Sequence, residues 1–345
     1  MNETIGLIKR LGDTPGVSGC EHAVREEIIS LIKDCCDSYM VDALGNLLVF
    51  KKGAKMPKRR MMLSAHMDEV GLIITHIEDD GLLRFANVGG IDPRVLFGKA
   101  VEIGPGRVCG VIGGRAVHHL TENEMQALPE PDKLAIDIGA SDKQQAEEYV
   151  SPGDCAVFSS PCVEVGEDYL LGRAFDDRAG CALLVQLLRS PLPYDCHFAF
   201  TAQEETGCTG AQTASYTIAP EIGIAVETTT AGDIAGVPPD RQACKLGGGA
   251  VISFMDRGTV YDKELYHLAL DLAEEKGIKA QAKTAVAGAN DSQSIQKAKG
   301  GARVMAISIP CRYLHSPSLL IHKDDVTETY KMLAALIEKL GGGAV

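Results

Sequence analysis

Cys196-His-Phe-Ala-Phe-Thr-Ala-Gln-Glu-Glu205 sets an apolar alternating run directly against two adjacent carboxylates. Phe198 and Phe200 alternate with Ala199 and Thr201, the pattern of a central strand, and Gly207 and Gly210 supply the turn beyond it. Glu204 and Glu205 therefore stand at the C-terminal edge of a strand, where open α/β sheets bind ligands. Neighbouring carboxylates at such an edge repel each other unless they share a cation or one takes a proton. The pair thus suggests a metal ligand beside a general base. Alone, a Glu-Glu pair is weak evidence, since most such pairs are simply solvated at a loop, and the rest of the chain decides.

Other expected strand ends carry the same kind of residue. Met61-Met-Leu-Ser-Ala-His66 reads as a buried strand delivering His66-Met-Asp-Glu69, where the imidazole of His66 can bind metal while Asp68 fixes its tautomer. The run Tyr169-Leu-Leu-Gly-Arg-Ala-Phe-Asp-Asp177 is strand-like and ends in Asp176-Asp177, ahead of an apolar helix over residues 178–188. Carboxylates at a helix start fit capping, but capping does not explain why the arrangement recurs. A strand over 221–226 ends at Glu227. Another over 302–309 runs into Pro310-Cys-Arg-Tyr-Leu-His-Ser-Pro317 and brings His315 to the same edge. Two histidines and three to four carboxylates at one sheet edge fit a dinuclear site for zinc or a similar borderline ion.

Between these segments the texture changes. Residues 71–165 alternate short strands (71–77, 99–103, 107–117, 134–138) with glycine-rich turns and one helix over 142–149. This predicts a small β-rich barrel or sandwich inserted into an α/β domain. The chain length of 345 residues suits that division, with 1–70 and 166–345 as one domain and 71–165 as the insert. His118-His119 in the insert is read as lying on one strand, where the two side chains would point to opposite faces and not share a metal. The basic run 51–60 reads as a solvated loop.

Composition narrows the function. With 45% hydrophobic and 23% charged residues the chain reads as soluble and globular. A net charge of -13 argues against nucleic acid as a partner. No apolar run reaches the roughly 18 residues of a membrane span, and Met1-Asn-Glu-Thr lacks the basic start of a signal peptide, so the expected location is cytoplasmic. The eleven cysteines form no CxxC pair and are read as buried small hydrophobes and not as disulfides. Gly341-Gly-Gly343 reads as a frayed tail.

His66-Met-Asp-Glu-Val-Gly71, Ala174-Phe-Asp-Asp-Arg178, Gln203-Glu-Glu205 and Arg312-Tyr-Leu-His-Ser-Pro317, in this order with a β insert after the first, resemble the tetrahedral aminopeptidases. These are cobalt- or zinc-dependent exopeptidases, some named glutamyl aminopeptidase or endoglucanase. Pro15-Gly-Val-Ser-Gly19, the segment 42–46 and Leu134-Ala-Ile-Asp-Ile-Gly-Ala140 match as well, so the similarity spans nearly the whole chain. The resemblance implies a mixed-sheet, zinc-peptidase-like α/β catalytic domain with helices on both faces. Asp176 would bridge two metals, with His66 and Glu227 completing one site, Glu205 and His315 the other, and Glu204 as the base. The family commonly has Asp at the place of Glu227, so metal preference can shift. It more often shows Gly-Gly-Thr-Asp-Ala where this chain has Gly288-Ala-Asn-Asp-Ser292, so the pocket should differ there. In related enzymes the bond matching Asp176-Asp177 is a cis peptide.

The implied reaction is removal of N-terminal residues from short peptides. Two divalent ions (Zn²⁺ or Co²⁺, with Mn²⁺ also acceptable) would share a water and lower its pKa, and Glu204 would take its proton. One ion would polarise the scissile carbonyl while the other holds the free α-amino group. By the same resemblance the insert would pair subunits into dimers and these into a dodecamer. A related amidohydrolase or deacylase on the same metals is the alternative. Glycoside hydrolysis is disfavoured by the lack of Trp and by only 5% aromatics. For an acidic N-terminal side chain, Arg94, Lys245 and Arg257 are the candidate partners.

Overall fold

The computed structural model describes residues 2–344. Four parallel strands form its centre, in the spatial order Cys196–Thr201, Met61–His66, Ile222–Thr230 and Arg303–Arg312. Antiparallel strands extend both sides. Leu47–Lys51 and Ser38–Val41 lie beyond Cys196–Thr201, and Leu319–His322, Tyr169–Gly172 and Val163–Val165 lie beyond Arg303–Arg312.

Strand alternation accounts for the layers. Met61, Leu63 and Ala65, with Phe198, Phe200, Ile224, Val226, Met305 and Ile307, feed one large core. Helices Asn2–Asp13, Phe175–Arg189 and Lys323–Gly341 contribute Leu11, Leu183 and Leu336 to it. The intervening residues Met62, Ala199, Ala225 and Ala306 face a smaller core closed by Ala211, Ala214 and Ile295 from helices Thr209–Ile218 and Ser292–Ile295. A sheet buried on both faces leaves only its strand ends for chemistry. The architecture is thus the expected mixed α/β sheet with helices on both faces.

The insert is a closed six-stranded barrel ordered Gly71–Ile77, Leu83–Val88, Ala135–Asp137, Val108–Gly113, Ala100–Ile103 and Cys155–Phe158. It has its own core of Leu72, Ile74, Phe85, Ile103, Ile112 and Ile136. Closure removes the exposed edges that an open sandwich would leave. Gly71 opens the barrel where a Cβ would press on Val17 and on the Ala156 carbonyl. No helix among the described residues is long and apolar enough to cross a membrane.

Four sequence expectations change. His118 and His119 lie in the 3₁₀ turn Val117–His119 and not on a strand, their rings 4.1 Å apart and exposed. Gly341 is not part of a frayed tail: it ends the helix Lys323–Gly341, is buried against Tyr194, and accepts a hydrogen bond from Lys58 N at 3.2 Å. Glu227 does not follow its strand but lies within it, three residues before its end at Thr230. The cysteines include one disulfide, Cys20–Cys155, which joins the loop after the first helix to the barrel. Partners 135 residues apart leave no local signal, whereas Cys181, Cys196, Cys208, Cys244 and Cys311 are buried as expected. Thiol titration in denaturant should find nine groups without reductant, the eleven cysteines less the bridged two, and eleven after reduction. Eleven in both would exclude the bridge.

Candidate active site

Register brings the sequence-selected residues together. Thr201 pairs with His66, so the turn carrying Glu204 and Glu205 rises directly beside it. Ala225 pairs with Ser64, which puts Glu227, two residues on, level with His66 and on the same face. Asp176 and Asp177 sit in a non-helical break at the start of helix Phe175–Arg189, with a cis bond between them. This differs from the expected strand ending on the pair: the strand stops at Gly172, and Ala174, at φ +57°, turns the chain. His315 follows strand Arg303–Arg312 in a left-handed turn of its own, at φ +56°.

Asp176 lies at the middle. Its Oδ1 is 3.4 Å from His66 Nε2 and its Oδ2 is 3.2 Å from His315 Nε2. Glu227 Oε2 is 3.6 Å from His66 Nε2, and Glu205 Oε2 is 3.2 Å from His315 Nε2. Glu204 Oε2 stands 4.0 Å from His66 Nε2. Thr228 Oγ1 donates to Asp176 Oδ1 at 2.8 Å and fixes the carboxylate plane. The other ring nitrogens are held by backbone: His66 Nδ1 is 3.0 Å from Asp68 O, and His315 Nδ1 is 2.9 Å from Gly90 O. Each Nε2 therefore faces the carboxylates.

The electrostatics are those of a site crowded with buried carboxylates around two histidines. Burial, with the like charges of Asp291, Glu205 and Asp68 adding to it, pushes Glu204 well above the usual carboxylate range. Burial does the same for Glu227 and Asp177. Burial alone would lower His315, but Asp176 and Glu205 outweigh it and push the imidazole up to about 11. Asp177 Oδ2, Glu205 Oε1 and Glu227 Oε1 are buried and accept no hydrogen bond within the described residues. Bare buried carboxylate oxygens cost about 1–3 kcal/mol each, more when charged. Divalent cations would relieve that cost, and the donors converge suitably. His66, Asp177 and Glu227 each offer a ligand atom within 4.8 Å of the others, as do His66, Asp176 and Glu205. These residues fit a metal centre of imidazole and carboxylate ligands.

Asp68 is fully buried and does more than hold His66. It accepts Ser18 Oγ at 2.6 Å and the backbone N–H groups of Glu204 and Glu205, each at 3.0 Å. Burial would raise its pKa, but bonds from His66, Ser18 and Glu204 outweigh this and lower it. Glu21 accepts Gln203 N at 3.0 Å, and Asn46 Oδ1 accepts Ala202 N at 2.8 Å. The turn bearing both glutamates is thus clamped from three sides. Arg178, fully buried, donates to Met67 O, Leu11 O, Thr14 O and Gly16 O, anchoring the loop that carries Ser18. Sequence reasoning does not single out Asp177 as a donor, nor Thr228 or Ser18. For Asp177 its adjacency to Asp176 was the available signal.

A cavity of about 150 Å³ opens from this cluster and is bounded by Thr228, Thr229, Thr230, Asp256, Lys283 and the 287–290 loop. Arg94, Lys245 and Arg257 do not line it. Arg94 is exposed and paired with Asp92, Lys245 is exposed beside Gln281, and Arg257 is exposed with its N–H on Gly288 O.

Residues 45–332 match the family model described as M42 glutamyl aminopeptidase. A putative aminopeptidase of Acetivibrio thermocellus is 38% identical over 96% of this chain and 97% of its own. An aminopeptidase structure from the archaeon Desulfurococcus kamchatkensis superposes with a TM-score of 0.93 at 34% identity, covering 98% and 95% of the two chains. The Pyrococcus horikoshii TET1 peptidase, which can assemble into a tetrahedron or a large octahedral shell, superposes at 0.85 with 35% identity over 97% and 99%. The chain belongs to the M42 glutamyl aminopeptidase family, hydrolases of peptide bonds.

Proposed function

We propose that this protein is a dinuclear metallo-aminopeptidase that trims short peptides from the N-terminus. One observation carries the reading: Asp176 turns one oxygen to His66 and the other to His315, so this one carboxylate could be shared by two cations. His66 and Glu227, with Asp177, would hold one cation, and His315 and Glu205 the other. Two divalent ions such as zinc, cobalt or manganese would there polarise a peptide carbonyl, anchor a free α-amino group and acidify a water.

The chain's own part is orientation and proton transfer. Glu204 stands outside both ligand sets, its Oε1 accepting from the Cys208 thiol at 3.2 Å. As base it takes the proton of the attacking water and passes it to the leaving nitrogen. Asp68 holds the Glu204 and Glu205 backbone in place. Val163–Val165, expected within the insert, pair instead with Tyr169–Gly172 in the large sheet. We further propose that the barrel insert mediates dimerisation and that dimers build a dodecamer. Phe97, Val117, Met125 and Leu128, half-exposed or more around one cavity on the insert, support this as an apolar contact surface.

Metal-stripped protein should release nothing from X-Ala-Ala tripeptides. Adding Zn²⁺ or Co²⁺ should restore release of the first residue, and N-acetylation of the same peptides should abolish it. Cleavage of the acetylated peptides alone would move the function to a deacylase.

A further inference from the structure

The loop 14–21, between helices Asn2–Asp13 and His22–Ile32, carries two of the groups that hold the catalytic turn. Ser18 Oγ donates to Asp68, the acceptor of the Glu204 and Glu205 N–H groups. The buried carboxylate of Glu21 accepts Gln203 N at 3.0 Å and Gly19 N at 2.8 Å. Cys20 lies between these two residues.

The first half of the loop is anchored to the catalytic domain. Gly16 N donates to Glu69 Oε1 at 3.1 Å, Glu69 N donates to Gly16 O at 3.0 Å, and Arg178 reaches the same carbonyl. The second half has less to hold it. Cys20 N turns back to Val17 O at 2.7 Å, and among the described residues no hydrogen bond runs from residues 18–21 to the barrel. The tie there is the Cys20–Cys155 disulfide. Its far end is fixed on both sides: Cys155 opens the strand Cys155–Phe158, pairs with Ile73, and accepts Gly104 N at 2.9 Å. The bond therefore fastens the loop bearing Ser18 and Glu21 to a closed, hydrogen-bonded sheet. Cys20 is exposed and Cys155 half-buried, so a reductant reaches the bridge from solvent, and exposed disulfides are the labile ones.

We infer that the Cys20–Cys155 bond is a positioning element for the catalytic turn, and that its reduction lowers turnover by loosening Ser18 and Glu21. The inference rests on the aminopeptidase reading above. The step is exchange with a dithiol. One reagent thiolate attacks a bridge sulfur, the S–S bond breaks, and the released cysteine thiolate takes a proton. The second reagent thiol then displaces the other cysteine as a thiol and leaves the reagent a cyclic disulfide, so two electrons and two protons pass to the protein.

The test compares metal-reconstituted wild type before and after treatment with tris(2-carboxyethyl)phosphine, which binds zinc far more weakly than dithiols do. The phosphine takes an oxygen from water to become its oxide, and both sulfurs leave as thiols. On the X-Ala-Ala tripeptide that the wild type cleaves fastest, kcat should fall about tenfold, less than the roughly hundredfold that a misplacement of about 1 Å can cost. KM and metal content should change little, and oxidised glutathione should restore kcat. Cys20→Ser and Cys155→Ser should each show the lower kcat from the start and ignore the phosphine. Cys109→Ser, at an exposed free thiol of the barrel, should behave as the wild type. A bond that only stabilises the fold would lower the melting temperature and leave kcat intact; kcat unchanged by reduction, or a phosphine response kept in Cys155→Ser, would overturn the inference. A second readout needs no turnover. Hydrogen exchange of the 203–205 amides should quicken on reduction of the wild type and not respond in Cys155→Ser; unchanged exchange in the wild type would overturn the assignment. If no peptide is hydrolysed with any metal while exchange still responds, the aminopeptidase reading fails and the bridge stands as the tie on this turn.

Discussion

Replacing Glu204 by glutamine is expected to lower kcat about a hundred- to ten-thousandfold, the usual contribution of a positioned acid-base group, while metal content stays unchanged. The separation follows from geometry. Glu204 Oε2 is 4.0 Å from His66 Nε2, farther than the 3.4 and 3.6 Å of Asp176 and Glu227, and Glu204 is absent from both donor groups built on His66. The amide preserves shape and can still accept from the Cys208 thiol, but it cannot take a proton from water. Stability should not fall, because the substitution removes a buried charge that faces Asp291, Glu205 and Asp68. Kinetics, elemental analysis and thermal melting on one preparation check all three. Loss of metal together with activity would make Glu204 a ligand and require another base.

Asp176→Ala should have the larger effect on metal. Its two oxygens face different histidines, so the substitution removes a donor from both positions at once. Loss of a residue that merely supports a ligand costs about 10–100-fold in metal affinity, and loss of a shared ligand should exceed that at each position. Calorimetric titration of the stripped protein should find two ions for the wild type and none tightly held for Asp176→Ala, with no measurable turnover. Glu227→Ala and Glu205→Ala should each leave one, since Glu227 faces only His66 and Glu205 only His315 at this range. Two ions still bound by Asp176→Ala would refute the bridging role.

Much of this site was legible before any coordinates. His66, Glu204, Glu205 and His315 each end or follow an apolar run of recognisable period, and the parallel register then carries them to one place. Glu227 reads from sequence as the residue that ends its strand, whereas pairing of 228–230 with residues 309–311 carries the strand on to Thr230. Asp177 was passed over beside Asp176; which of two adjacent carboxylates points inward depends on backbone torsions at the break, and both prove to be buried.

The sequence by itself determined the strand pattern, the division between a two-faced sheet and a β-rich insert, and the residue types at the strand ends. Each of these is a local property, set by side-chain alternation and turn residues within a few positions. Only the tertiary structure decided what meets across long separations. It joined Cys20 to Cys155 and set Ser18 on Asp68, while leaving Arg94, Lys245 and Arg257 off the cavity beside the cluster. Such contacts depend on strand order and helix packing, and the alternation that specifies a strand is silent about which distant loop will cover its end.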